Sequence, residues 1–211
     1  MRSVGEAGPS PRRRYARAVP GLHYLALALL AVAGCGAAAG EEAGLQAPPA
    51  LLPLADGNRW VLRDLEGSST ATIAVTRRPS GLLLRGLPGA GDVRVRTTGR
   101  AVQAWDAADA RWEPFLRLGA PAGTRYTVAL SDSPLWRSLT ATVASRTAVV
   151  RDGRGGTLRN CVRLTFAARK PVPDAAIEEL VFAPGVGFVR TAEQTIAGTR
   201  VRLLAAVRLR P

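Results

Sequence analysis

Asn160-Cys161-Val162-Arg163-Leu164-Thr165-Phe166 sets an apolar side chain at every second position, Val162, Leu164 and Phe166, with Arg163 between them. Side chains that alternate in this way belong to a β-strand with one face buried and the other wet. By the same period Cys161 is expected to share the wet face with Arg163. The alternation recurs in Val93-Arg94-Val95-Arg96, in Val201-Arg202-Leu203 and in Val207-Arg208-Leu209-Arg210, each time with valine or leucine opposed to arginine.

Working outward, strands are predicted near 58–65, 70–77, 81–86, 92–97, 100–105, 113–118, 124–131, 138–150, 157–168, 177–183, 186–192 and 200–209, with turn signals at Asp56-Gly57, Pro88-Gly89, Asp152-Gly153 and Pro184-Gly185. The best helical candidate is short, Pro173 to Leu180 with Asp174 as its cap. A long antiparallel sheet with an apolar face and no helical layer must fold on itself. The expected fold is therefore all-β, a mostly antiparallel curved sheet in the form of a half-barrel, barrel or sandwich, whose apolar side could hold an apolar ligand.

The first 35 residues read differently. Arg12, Arg13, Arg14 and Arg17 form a basic start, and Leu22 to Val32 is a Leu/Ala-rich run too short for the roughly 20 residues that span a bilayer. It ends in Val32-Ala33-Gly34-Cys35, which resembles the bacterial lipobox. That resemblance implies cleavage before Cys35, attachment of a diacylglycerol to its thiol and acylation of the new amino group, with palmitate the usual kind of chain. Two or three acyl chains, at roughly 0.8 kcal/mol per buried CH₂, hold a domain on a membrane where one chain would be marginal. The expected organisation is a signal peptide over 1–34, a lipidated cysteine and small-residue tether over 35–52, and one β-domain over 53–211. Gly36 stands where an aspartate would mark inner-membrane retention, so the resemblance favours the outer membrane, with the domain in the periplasm or at the cell surface. Arg12-Arg13-Arg14-Tyr15-Ala16-Arg17 loosely matches a twin-arginine motif, which any arginine-rich start supplies.

Composition narrows the chemistry. The 211 residues carry a net charge of +13; the first 34 take five Arg and one Glu with them and leave a charge of +9 on 177 residues, enough for one domain with a proper core. The positive charge is scattered arginine, with Lys170 the single lysine and no polybasic block, so nucleic acid is not the expected partner. The single histidine, His23, precedes the cleavage point, which removes the commonest general base and metal ligand from the processed chain. Cys161 is the one other thiol, so no thiolate metal cluster is expected. No metal, cofactor or catalytic residue is expected.

Two further motifs carry a resemblance. Pro53-Leu54-Ala55-Asp56-Gly57-Asn58-Arg59-Trp60 opens the domain, and Phe182-Ala183-Pro184-Gly185-Val186-Gly187-Phe188-Val189-Arg190 comes near its end. The pair resembles a loosely defined group of uncharacterised exported bacterial β-sheet lipoproteins, whose members begin with Pro-Leu-x-x-Gly-Asn-x-Trp and finish with an Ala-Pro-Gly-Val-Gly hairpin. The resemblance implies a β fold and carries no catalytic residues. In physical terms Asp56-Gly57 turns the chain into a first strand with Trp60 in the core, and Pro184-Gly185 is a two-residue turn, proline fixing φ and glycine tolerating a positive one.

Enzymatic constellations are thin. Asp106 and Asp109, and further on Asp174, Glu178 and Glu179, could pair for acid–base work, but their setting reads as solvated loop or short helix. The serines lack a histidine partner and a nucleophile elbow, and Gly153-Arg154-Gly155-Gly156 lacks the Lys-Ser/Thr ending of a phosphate loop. Trp105, Trp112, Tyr126 and Trp136, with Phe115 nearby, are the candidate ligand-binding set, since aromatic rings serve sugars, lipids and bases alike; the competing reading puts Trp60, Trp105 and Trp112 in the core. The expected function is a non-catalytic envelope lipoprotein, a binding or scaffold module that meets an apolar ligand or an envelope protein. The alternative is an interaction protein whose Arg face, with Arg94, Arg96, Arg163 and Arg202, docks on anionic lipid or polysaccharide; a histidine-free hydrolase ranks last.

Overall fold

Each alternating segment becomes a strand because each has one apolar face to bury and a turn at either end. The computed structural model describes residues 51–99, 101–169 and 175–210, and these form twelve strands. They are β1 (Arg59–Asp64), β2 (Thr70–Arg78), β3 (Gly81–Leu87), β4 (Gly91–Thr98), β5 (Ala101–Asp106), β6 (Arg111–Leu116), β7 (Arg125–Val128), β8 (Leu139–Arg151), β9 (Thr157–Ala168), β10 (Ala175–Ala183), β11 (Gly187–Thr195) and β12 (Gly198–Arg208). All twelve predicted segments are present. The predicted signal peptide, Cys35, most of the predicted tether and Lys170 lie outside the described residues. Leu51 and Leu52, at the end of the predicted tether, are instead buried in the core.

The sheet is one antiparallel meander in the order β6-β5-β4-β3-β2-β1-β12-β11-β10-β9-β8-β7. Neighbours in sequence pair throughout, with two exceptions. The β1–β12 ladder joins the two halves, and β6 and β7, consecutive in the chain, are the two sheet edges. Those edges are brought together by Tyr126 on β7, whose phenol accepts from Arg117 N at 3.1 Å and donates to Phe115 O at 3.3 Å. Arg146 adds a second tie, donating to Leu118 O and to Ala120 O at 3.0 Å. The sheet is thus a nearly closed barrel whose seam is held by side chains.

The concave side is filled. Trp60 packs edge-on to Phe188 at 5.3 Å, Phe188 against Phe182 at 4.8 Å, and Trp136 against both Phe115 and Phe166, and all but Phe166 are fully buried. Leu62, Ile73, Leu84, Leu116, Leu164 and Leu204 close the space between them.

The two sequence motifs turn out to be one structural unit. Asn58 is fully buried; its amide donates to Pro53 O at 2.8 Å and accepts from Arg210 N at 2.7 Å, clamping the end of the chain to the entry turn. Trp60, two residues on, donates its indole N–H to Val186 O at 2.6 Å, across 126 residues. Gly187 lies against the same indole at φ 96°, where an added Cβ would stand 2.6 Å from the ring nitrogen. Gly185, at φ 67°, and the Val186 N to Ala183 O bond at 3.1 Å complete the turn expected of Pro184-Gly185.

Three expectations are corrected. The helix predicted from Pro173 to Leu180 is, over its described part, the strand β10, whose backbone bonds go to β9 and β11. Cys161, expected on the wet face, is buried with Val162: it lies where the β8–β9 pairing shifts register between Ser145 and Val150, beside Asn160 at φ 54°, and that part of the hairpin does not follow the simple alternation of buried and wet. Arg202 leaves the expected Arg face. The β1–β12 register shifts between Val61 and Leu62, so Leu204 is the core residue, Arg202 shares its side of the sheet, and its guanidinium is paired with Glu193.

Candidate functional site

On β4, Val93 and Val95 point into the core, which leaves Arg94 and Arg96 on the outer face. On β5 the inward residues are Val102 and Ala104, so Gln103 and Trp105 face outward, and Trp105 lies directly opposite Trp112 of β6. The two indoles meet edge to face at 5.5 Å. Arg94 lies over both, its guanidinium carbon 4.9 Å from the Trp105 ring and 5.1 Å from that of Trp112, and Arg96 covers Trp112 at 4.3 Å. Arg96 is steadied by Gln103, which accepts from its Nε at 2.9 Å. The Nε of Arg94 has no partner among the described residues.

The result is an outward-facing layer of guanidinium groups on indoles. Each cation–π contact is worth roughly 0.5–1 kcal/mol where exposed, which favours keeping the guanidinium groups over the indoles. Such a surface can bind carboxylate or phosphate groups through charge-assisted hydrogen bonds while the aromatic base fixes its shape. Further along the same face, Gln103 and Pro114 border a shallow cleft of about 320 Å³ that ends at Arg117 and Pro121.

The predicted aromatic set is therefore divided. Trp105 and Trp112 belong to the outer cluster. Trp136 is fully buried, its indole N–H donating to Pro88 O at 2.8 Å, and Tyr126 is the seam residue; burial pushes the Tyr126 phenol up to about 12, with Arg117 opposing that shift. Trp60, read as core, is core, whereas Trp105 and Trp112 are not. Of the predicted Arg face, Arg94 and Arg96 lie together on β4; Arg163 lies on β9, across the sheet order from them.

The acidic candidates are not brought together. Asp106 is buried and accepts from Ser131 Oγ and from Ala108 N at 3.1 Å, and the Ser131 bond holds its carboxyl below the usual range against the opposing effect of burial. Asp109 is exposed beside Arg111, and Glu178 accepts from Thr199. Glu179 differs from the solvated charge expected of it: it is 5% exposed and paired with Arg163 and with Arg190, the latter at 2.6 Å. Asp174 lies outside the described residues. Gly153 to Gly156 form a hairpin turn capped by Asp152, as the missing Lys-Ser/Thr ending implied. Sequence reasoning missed Gln103 and the role of Glu179, because the partners of both depend on inter-strand register.

The chain is distantly similar to a solved protein, a "putative lipoprotein" from Parabacteroides distasonis ATCC 8503, with a TM-score of 0.36 and 13% identity, covering 74% of this chain and 97% of that one. No family model matches the chain, and the comparison with curated proteins finds no match.

Proposed function

We propose that the protein is a bacterial envelope lipoprotein, anchored through Cys35, whose β-domain is a non-catalytic module that binds an anionic polysaccharide on the outer face of β4–β6. The observation that carries the binding role is the placement of Arg94 and Arg96 over Trp105 and Trp112 on a face the core does not use. The anchor rests on the basic, apolar and Val-Ala-Gly-Cys segments in that order. An apolar ligand on the concave side is the weaker reading, since it would have to displace Trp60, Phe182, Phe188 and Trp136 from a packed interior. A bilayer is also a poorer match for the outer cluster than a polyanion, because the indoles lie beneath guanidinium groups and present hydrogen-bond donors in place of an apolar wedge.

Titration of tryptophan fluorescence with polygalacturonate tests this. Binding should weaken steeply between low and physiological salt, and Arg94→Gln with Arg96→Gln should raise the Kd by roughly tenfold, as loss of charge-assisted contacts requires. Binding to anionic vesicles with none to the polysaccharide, or an unchanged Kd in the double variant, would overturn the proposal.

A further inference from the structure

The β8–β9 hairpin is longer than its neighbours, and its tip crosses the outer face of the sheet. Gly153 N donates to Leu204 O at 2.8 Å, reaching β12 although β9, β10 and β11 lie between β8 and β12 in the sheet. Asp152 makes the tip rigid. It is 6% exposed, and its carboxylate accepts from Gly156 N at 2.7 Å, from Arg154 N at 3.0 Å and from the Arg154 guanidinium.

Beneath this overhang lies a cleft of about 340 Å³. Val149, Val181 and Leu203 give it apolar walls, and Arg151, Arg163 and Arg190 give it charge. Glu179, buried at its base, accepts from the Nε atoms of both Arg163 and Arg190. That carboxylate aligns the two guanidinium groups and neutralises one of three positive charges. The Nη groups of Arg163 and Arg190, and the whole Arg151 guanidinium, have no hydrogen-bond acceptor among the described residues. A carboxylate ligand would leave one positive charge uncompensated, whereas a phosphate monoester carries a charge of about −1.5 to −2 at neutral pH and offers three acceptor oxygens.

We infer that this cleft is a binding site for a phosphate monoester carried on a small apolar body, held by Arg151, Arg163 and Arg190 on the platform of Glu179. The site is separate from the β4–β6 cluster, and neither depends on the other. The phosphate could belong to a soluble organic ester or to the headgroup of a phosphomonoester lipid.

Calorimetric titration of the full-length protein in non-ionic detergent with phenyl phosphate tests the assignment. One equivalent should bind, and benzoate should bind at least about tenfold more weakly. Arg163→Gln or Arg190→Gln should raise the Kd by roughly tenfold or more. Because those variants leave Glu179 short of a partner, exposed Arg151→Gln is the decisive one, with an expected rise of about fivefold and an unchanged melting temperature. Arg125→Gln, on the exposed side of β7, should change nothing. Absence of phenyl phosphate binding, equal affinity for benzoate, or an unchanged Kd in Arg151→Gln would overturn the inference. Vesicles containing phosphatidate in phosphatidylcholine identify the source: Arg151-dependent binding to them assigns the lipid headgroup, and phenyl phosphate binding without vesicle binding assigns the soluble ester.

Discussion

Trp60→Phe and Gly187→Ala, made singly and together, test whether the two sequence motifs act as one unit. Trp60→Phe removes the N–H that donates to Val186 O at 2.6 Å. The lost bond and the part-buried carbonyl left behind cost about 1–2 kcal/mol, and the roughly 40 Å³ vacated in the core adds about 1 kcal/mol at ~24 cal/mol per Å³. Gly187→Ala holds an L residue at positive φ, at about 1–2 kcal/mol, and its Cβ would stand 2.6–2.7 Å from indole Nε1, Cε2 and Cζ2. Relieving that overlap costs roughly 1–3 kcal/mol in a packed site. Phenylalanine at position 60 keeps a ring near the place of the indole's five-membered ring but lacks Cζ2 and can shift into the roughly 40 Å³ left by the missing part of the indole, so the double variant should recover about 1–2 kcal/mol of the summed loss. Urea unfolding followed by near-ultraviolet circular dichroism measures this, and Trp60→Phe alone should lower Tm by roughly 5–10 °C at about 2–4 °C per kcal/mol. Losses that add to within about 0.5 kcal/mol would refute a direct contact between the motifs.

Asp152 is expected to make the protein acid-sensitive. Hydrogen bonds from Gly156 N and Arg154 N and the Arg154 charge together outweigh the upward push of burial, which is the largest single effect, and hold its carboxyl below the usual range. A depressed folded pKa contributes stability that is present above about pH 4 and lost as pH falls through the folded value. Asp152→Asn should flatten the acid limb of the pH–stability curve and cost about 1–3 kcal/mol at neutral pH. Tyr126 carries the opposite sign. Its phenol is pushed up to about 12 by burial, so its contribution is intact below pH 10 and lost as pH rises through 12. Tyr15 and Tyr24 precede Cys35, so ultraviolet titration of a chain processed there follows this one tyrosine, and tyrosinate should appear near pH 12 or with unfolding; a step near pH 10 in the folded protein would contradict the seam.

Period-two alternation made the strands legible, because half-burial in a sheet imposes that pattern on any sequence. It could not show where the pattern slips. The β1–β12 bulge inserts one residue, which is enough to carry Arg202 to the core side, and the register shifts of the β8–β9 hairpin leave Cys161 buried beside Val162. Ala175 to Leu180 reads as helical after Pro173 and Asp174, but isolated propensity is a small effect beside two ladders of backbone hydrogen bonds from β9 and β11. The outer cluster was half legible. Alternation put Arg94 and Arg96 on the wet face, while the placement of Trp105 opposite Trp112 follows from a hairpin register that composition does not encode. The cleft under the β8–β9 tip was not legible at all, since it depends on a hairpin crossing strands remote from it in sequence.

The anchored module is the central claim, and lipid labelling tests it most directly. Cells expressing the full-length chain are grown with radiolabelled palmitate, and the protein is recovered from membrane and soluble fractions. The wild type should carry label and sediment with the membrane, while Cys35→Ala should carry none and shift to the soluble or uncleaved precursor fraction. A wild-type protein without label, or equal labelling of Cys35→Ala, would contradict it.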